Sequence, residues 1–360
     1  MVGNTISGEG LQLIKTATSG TDNLVFRGNT FYKENIYGNC LYISEGASIT
    51  IEGNTFDGNY STGIYTYKAC PNLQIVSNEV RSRYANPSTG ININVYSGSS
   101  DNAFINNNKI YRDYPSTTTT HYGIRIMGNG VISSNEVRGF GTGIHANASG
   151  GDMLINKNTL VKNKIGVEGA GTTYTKVKNT IISCSPEVGG EGITGSVGIK
   201  RTAGDVISRY NCIYGNTYAY SLEAGVLDKT GDIYQNAQFV SVEANDYRLN
   251  WNSPCYLTGT PPGTNIGWWQ GGVFEAAALV RIVPRVKESP PSFKIWFGER
   301  VYQKEMVARG EAFVVSAKPD IKVELSIEEP YTLTESVEVY SIVLDPETPQ
   351  AQSLTLTPQN

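Results

Sequence analysis

The chain has 360 residues, room for one large domain or two ordinary ones, so its stability need not come from disulfides. Only 17% of residues are charged and the net charge is −4, which leaves no electrostatic footprint for a nucleic-acid backbone, and no apolar run approaches the ~18 residues of a membrane span. The 39 glycines exceed the roughly 25 expected at average usage, and the polarity comes from Asn, Ser, Thr and Tyr.

A four-residue pattern of any residue, Asn, any residue, apolar recurs along the chain: GNTI at 3–6, GNTF at 28–31, GNTF at 53–56, SNEV at 77–80, NNKI at 107–110, SNEV at 134–137, KNTL at 157–160, KNTI at 178–181 and YNCI at 210–213. Its asparagines are Asn4, Asn29, Asn54, Asn78, Asn108, Asn135, Asn158, Asn179 and Asn211, spaced by 25, 25, 24, 30, 27, 23, 21 and 32. That period is shorter than the thirty or so residues that helical repeats need. Between these motifs lies an apolar alternation usually opened by Gly, as in GIYTY at 63, GININVY at 90, GIRIM at 123 and GIHAN at 143. Each repeat therefore holds short half-buried strands separated by turns. Asn tolerates the left-handed conformation of a sharp bend, and stacked amides can hydrogen-bond up the column, so the repeated Asn is structural first.

The alternation of a GNxI-like turn with a GIxV-like strand is similar to the repeats of pectate-lyase-like and other carbohydrate-binding or carbohydrate-cleaving secreted proteins. Residues 236–269, from NAQF to IGWW, resemble the terminal segment of many such proteins. The resemblance implies an all-β fold, a right-handed parallel β-helix of about nine to ten coils over residues 1–272, and a secreted or cell-surface location. Trp251, Trp268 and Trp269 are expected to belong to a C-terminal cap over the stack. With a repeat already at residue 3 and no signal peptide in view, the natural protein is expected to extend upstream. The WxDH motif of pectate lyases, the paired aspartates of polygalacturonases and the DPHE motif of alginate epimerases are missing from the sequence.

After Gly272 the Asn motif vanishes and charged strands take over, FKIWF, AFVVSA, IKVELSI and SVEVYSIVL, punctuated by prolines. This pattern predicts a small immunoglobulin-like β-sandwich over residues 273–360, a spacer or attachment module. The five cysteines, Cys40, Cys70, Cys184, Cys212 and Cys255, contain no CxxC pair and read as small buried residues, at least one of them unpaired.

If each repeat is one coil, residues following the inward apolar positions of the Gly-led strands form an outward row: Gln12, Tyr42, Tyr65, Asn92, Arg125, His145, Glu168 and Lys200. A second row, two positions on, includes Tyr67, Asn94, Met127 and Asn147. The long intervals add two loops, 81–89 and 111–122, expected to wall this sheet with Arg81, Arg83, Tyr84, Arg112, Asp113, Tyr114 and His121, joined by Tyr60 and Phe140. Aromatic platforms beside amides and cations suit a polysaccharide or cell-surface glycan, above all an acidic one. β-Elimination of a uronic acid needs a cation at the carboxylate, a base at C5 and an acid at the leaving oxygen. Arg125 could neutralise, His145 or Lys200 abstract, and Tyr65 or His145 donate, with Glu168 between the cations. The plain alternatives are a solvated polar row, and a non-catalytic module that binds glycan along the same groove. Hydrolysis would need two carboxyls, and the row offers Glu168 alone. No phosphate loop, HExxH or calcium loop is present, so no metal site and no particular cofactor is indicated.

Overall fold

The computed structural model describes residues 1–267, except 9–11, 17–23, 35–36, 45–47, 68–69, 84–88, 95–101, 117, 148–151, 172–173, 186–192, 224, 250–252, 256–257 and 261–264, and beyond them the backbone of six strands. The chain divides into two compact units, Met1–Arg248 with Asn252–Gln270, and Leu249–Trp251 with Gly271–Asn360.

The first unit is a right-handed parallel β-helix. Three sheets of nine strands are visited in turn, so that neighbours within a sheet lie one coil apart in sequence. The first sheet runs from Thr5–Gly8 to Cys212–Tyr214, the second from Gln12–Thr16 to Tyr218–Leu222, and the third from Val25–Arg27 to Leu227–Thr230. All the registers are parallel, and like residues therefore stack at about 4.8 Å. In the first sheet one inward column is Ile6, Phe31, Phe56, Val80, Ile110, Val137, Leu160, Ile182 and Ile213. Phe31 and Phe56 stack with ring centroids 4.6 Å apart. In the second sheet Leu41, Ile64, Ile91, Ile124, Ile144, Val167 and Ile199 point inward, each completely buried. The first coil departs from the expected parity: Ile14 and Lys15, not Leu11 and Gln12, register with Leu41 and Tyr42. GLQLI carries apolar residues at both parities, so alternation alone cannot choose its face.

The Asn column forms, with two differences. Each side-chain amide donates to the next: Asn4 to Asn29 (3.2 Å), Asn29 to Asn54 (2.9 Å), Asn54 to Asn78 (3.0 Å), Asn78 to Asn108 (3.0 Å), Asn108 to Asn135 (2.9 Å) and Asn135 to Asn158 (3.0 Å). The left-handed conformation belongs to the preceding residue, as at Gly28 (φ 63°), Ser77 (φ 56°) and Lys157 (φ 56°), which frees the Asn itself to turn its amide into the buried column. The second difference is that Asn179 is not a rung. Thr180 takes its place, its hydroxyl accepting from Asn158 N (3.4 Å) and its own N–H donating to Asn211 Oδ1 (2.9 Å). Ile181 pairs with Thr159 and Ile182 with Leu160, one residue off the KNTI alignment, because adjacent isoleucines satisfy either parity.

The described residues after the last coil turn back along the outer face of the first sheet. Asn245 Oδ1 accepts from Arg138 Nη1 (3.2 Å), Asn179 exchanges hydrogen bonds with Thr260 (2.7 and 2.8 Å), and Gly267 N donates to Asn179 O (2.6 Å). Glu136, Thr159, Val161, Ile181, Ser183 and Cys212, which face outward from their strands, are buried as a result. The three tryptophans expected in the cap, Trp251, Trp268 and Trp269, lie outside the described residues.

This cover leaves one carboxylate exposed to a cost. Glu136 is 3% exposed, its Oε1 makes no hydrogen bond, and Arg138 Nε stands 3.5 Å away. Burial pushes its carboxyl up to about 7 against the pull of Lys109 and Arg138. A folded-state value above the unfolded one means that the contribution is fully present below about pH 4.5 and is lost as pH rises to about 7. Glu136→Gln is therefore expected to flatten the fall in stability between pH 5 and 8 and to raise stability at pH 8 by up to about 3 kcal/mol. Thermal melts of both proteins at the two pH values check this; equal pH profiles would contradict it.

In the second unit the described strands form two three-stranded sheets. Ala277–Ile282 pairs antiparallel with Ala312–Ser316 and parallel with Ser353–Leu354; Phe293–Phe297 pairs antiparallel with Arg300–Lys304 and Glu324–Ile327. The strand expected at SVEVYSIVL lies outside the described residues.

Candidate functional site

The outward face of the second sheet carries an unbroken cross-coil row. Tyr42, Tyr65, Asn92, Arg125, His145, Glu168, Lys200 and Ser221 register one to the next, and the backbone of Lys15 pairs with Tyr42 at the N-terminal end. The alternation places them there. Ile64, Ile91, Ile124, Ile144, Val167 and Ile199, each one residue earlier, fill the interior, and the row residues from Tyr42 to Lys200 remain half-buried.

The row has two ends of different chemistry. Toward the N-terminal coils, Tyr42 lies beside Tyr65 (centroids 5.3 Å) and stacks on Tyr67 (6.5 Å), which is 43% exposed. Toward the C-terminal coils the side chains are charged. His145 Nδ1 meets Glu168 Oε2 at 2.9 Å, and Lys200 Nζ lies 3.5 Å from Glu168 Oε1 and 3.1 Å from Glu223. Burial opposes ionisation of Glu168, but the hydrogen bond and charge of His145, with Lys200, outweigh it and hold its carboxyl below the usual range. Burial likewise opposes the charge on Lys200, yet its two carboxylate partners keep that ammonium above its ordinary value. Between the two ends sits Arg125, whose Nη1 donates to Asn92 Oδ1 (3.4 Å) and whose guanidinium lies 5.7 Å from the Tyr122 ring centroid. Both of these partners are neutral, in contrast to the carboxylates around Lys200.

The walls differ from expectation. Arg112 and His121 are buried, not groove-facing: Arg112 Nη1 meets His121 Nδ1 at 3.0 Å, Ser116 Oγ reaches the same nitrogen at 2.6 Å, and Arg112 lies over Phe140. Burial and the neighbouring guanidinium both hold the His121 imidazole below its ordinary value. Tyr60 and Phe140 are completely buried. Apolar contact, not solvent, is the better partner for these side chains once the loop folds inward. Arg83 pairs with Asp57 (2.6 and 2.5 Å) near Tyr32, and Arg81 forks onto Asp113, so these loop charges are spent on the side of the first sheet. Tyr114 is exposed; Tyr84 lies outside the described residues, and Asn94 is described only as backbone paired with Met127.

Sequence reasoning missed Tyr122, whose ring lies 4.9 Å from that of His145, and Glu223. Tyr122 precedes the Gly of its strand, a position that the alternation assigned to the loop, and Glu223 follows a last strand without the Gly-led motif.

For a metal ion the residues are badly placed. Among the described residues no group of three His, Cys, Asp or Glu converges. His121 sits against a guanidinium, His145 is held by Glu168, and the five cysteines are all buried. That donor set does not assemble the three or four ligands of a copper or zinc centre. Among the described residues no helix is long and apolar enough to cross a membrane.

Comparison with known proteins adds one result. A search of curated proteins finds no match. The family described as periplasmic copper-binding protein (NosD) matches residues 1–191, over half of the chain and most of the coil stack, and the chain belongs to that family.

Proposed function

We propose that the outward face of the second sheet binds an acidic polysaccharide in the periplasm or at the cell surface. The observation that carries this is Arg125, a half-buried cation held by an amide and an aromatic ring, about 10 Å or two coil rises from the Tyr65 platform on the same line. A sugar ring stacked on the tyrosines would bring a carboxylate farther along the chain to the guanidinium. The copper in the family's description finds no matching donor set among the described residues, and polysaccharide binding on this face needs no metal.

A second reading, β-elimination, is favoured by one contact. The hydrogen bond between His145 Nδ1 and Glu168 Oε2 orients the ring one coil from Arg125, where it could serve as the base. One experiment separates the readings: incubation with pectate, alginate and glycosaminoglycans, following both retention on immobilised glycan and the absorbance of an unsaturated product. Binding without product is the expected result, weakened about tenfold by Arg125→Ala or Tyr65→Ala, the equivalent of about 1.4 kcal/mol each. Product lost by about 10²-fold in His145→Ala would instead select the lyase. No retention on any glycan would leave the coil stack as a spacer.

We read residues 273–360 as an immunoglobulin-like attachment module, supported by the strand pairing and the proline punctuation. Limited proteolysis near 272–290 is expected to leave the coil stack intact; unfolding of the stack on cleavage would make the tail part of its closure.

A further inference from the structure

Two of the five cysteines meet where the segment returning from the last coil is fastened to the stack. Cys212 opens the last strand of the first sheet, with Ile213 beside it in the interior column, so Cys212 faces outward beneath the returning chain. Its Sγ donates to Gln235 O at 3.2 Å, and Ile233 bridges to its backbone. Cys255 comes from the far side of the same segment. Its N–H donates to Ser253 Oγ (3.1 Å), Ser253 Oγ reaches Ala237 O (2.5 Å), and Cys255 O accepts from Ile266 N (2.9 Å), so the turn that carries it is fixed on both sides. Both cysteines are completely buried and tied to one short stretch, Cys212 directly to Gln235 and Cys255, through Ser253, to Ala237.

We propose that Cys212 and Cys255 close to a disulfide that fastens the returning segment to the last coil. The family's compartment, the periplasm, is one in which disulfides form and persist. Two buried cysteines fastened to the same three-residue stretch, 235–237, have a short approach to make to the bond length of about 2 Å. The reaction is thiol–disulfide exchange with a small or protein-borne disulfide. One cysteine thiolate attacks it and displaces a thiolate; the second then displaces the other. The S–S bond of the oxidant breaks as that of Cys212–Cys255 forms, two electrons pass to the oxidant, and the two protons leave with its thiols. In the docked segment, contact with Cys255 and burial hold the Cys212 thiol well above its ordinary value. Exchange therefore belongs to folding, before the segment closes over the pair.

The test refolds the full chain from denaturant in a mixture of oxidised and reduced glutathione, alkylates the remaining thiols, and maps peptides without reductant. The expected result is a linked pair of peptides containing Cys212 and Cys255 that separates on reduction, together with greater resistance of residues 236–267 to protease than in the reduced protein. Cys212→Ser is expected to leave Cys255 alkylated, with protease resistance falling to that of the reduced chain. Recovery of Cys212 and Cys255 as alkylated peptides after oxidative refolding, or either one linked to Cys40, Cys70 or Cys184, would overturn the proposal. Because the chemical readout is taken on the unaltered chain, a variant that fails to fold leaves the answer unaffected.

Discussion

Asn108→Ala is expected to lower the unfolding free energy by roughly 3–5 kcal/mol, the largest effect of any single conservative truncation in the coil stack. Asn108 is completely buried. Its Oδ1 accepts from both Asn78 N and Asn78 Nδ2 (2.9 and 3.0 Å), and its Nδ2 donates to Ile75 O, Asn106 O and Asn135 Oδ1 (2.8, 3.0 and 2.9 Å). The truncation strands groups above and below in a column shielded from water, and each stranded group costs about 1–3 kcal/mol before relaxation. Asn179→Ala is the contrast. Asn179 lies beside the column and holds Thr260, so its loss should cost about 1 kcal/mol and loosen the returning segment first. Urea denaturation of both variants measures the difference; a change under about 1 kcal/mol for Asn108→Ala would mean that the column is ornament to a core that holds without it.

Gly166→Ala is expected to cost roughly 2–4 kcal/mol. A Cβ at that position would sit 2.1 Å from Ile182 Cγ2 and 2.6 Å from Gly198 O, the latter a backbone atom of the next coil that cannot move without shifting the sheet. Gly28→Ala separates steric crowding from backbone preference. Gly28 has φ +63°, and an alanine methyl there would meet nothing within 4 Å, so only the left-handed penalty of about 1–2 kcal/mol should appear. Equal losses for the two glycines would show that crowding at the corner of the coil is relieved at little cost.

The coil stack was legible because a period in the low twenties, turn asparagines and Gly-led alternation all describe one backbone, and alternation alone put Tyr42, Tyr65, Asn92, Arg125, His145, Glu168 and Lys200 on one line. Legibility failed wherever a segment offered apolar residues at both parities. GLQLI and NTII both slipped by register, since either face could be filled and the choice falls to hydrogen bonding with the neighbouring coil. It failed differently at Arg112 and His121. Polar residues in a long loop read as surface, and only the tertiary fold reveals that Phe140, Ser116 and Tyr60 form a pocket for them. The returning segment was invisible as such, because a terminal strand that covers a flank has the same composition as one that closes an end. Glu136 held the clue, an outward carboxylate in a row that becomes buried, but nothing in its own repeat distinguishes it from the exposed Glu79.

In a stack whose coils touch only their immediate neighbours, each coil can unzip from the end independently, and protection against hydrogen exchange grades smoothly toward the middle. The chain from 233 to 267 breaks that one-dimensional rule. By joining the coils of Arg138, Asn179 and Cys212 through contacts 107, 81 and 23 residues apart in sequence, it makes the C-terminal coils open together or not at all. Among the described residues the coils before Arg138 have no such strap. Under load or heat the coils before Arg138 should therefore come apart one by one, whereas those from Arg138 onward resist as a single foldon.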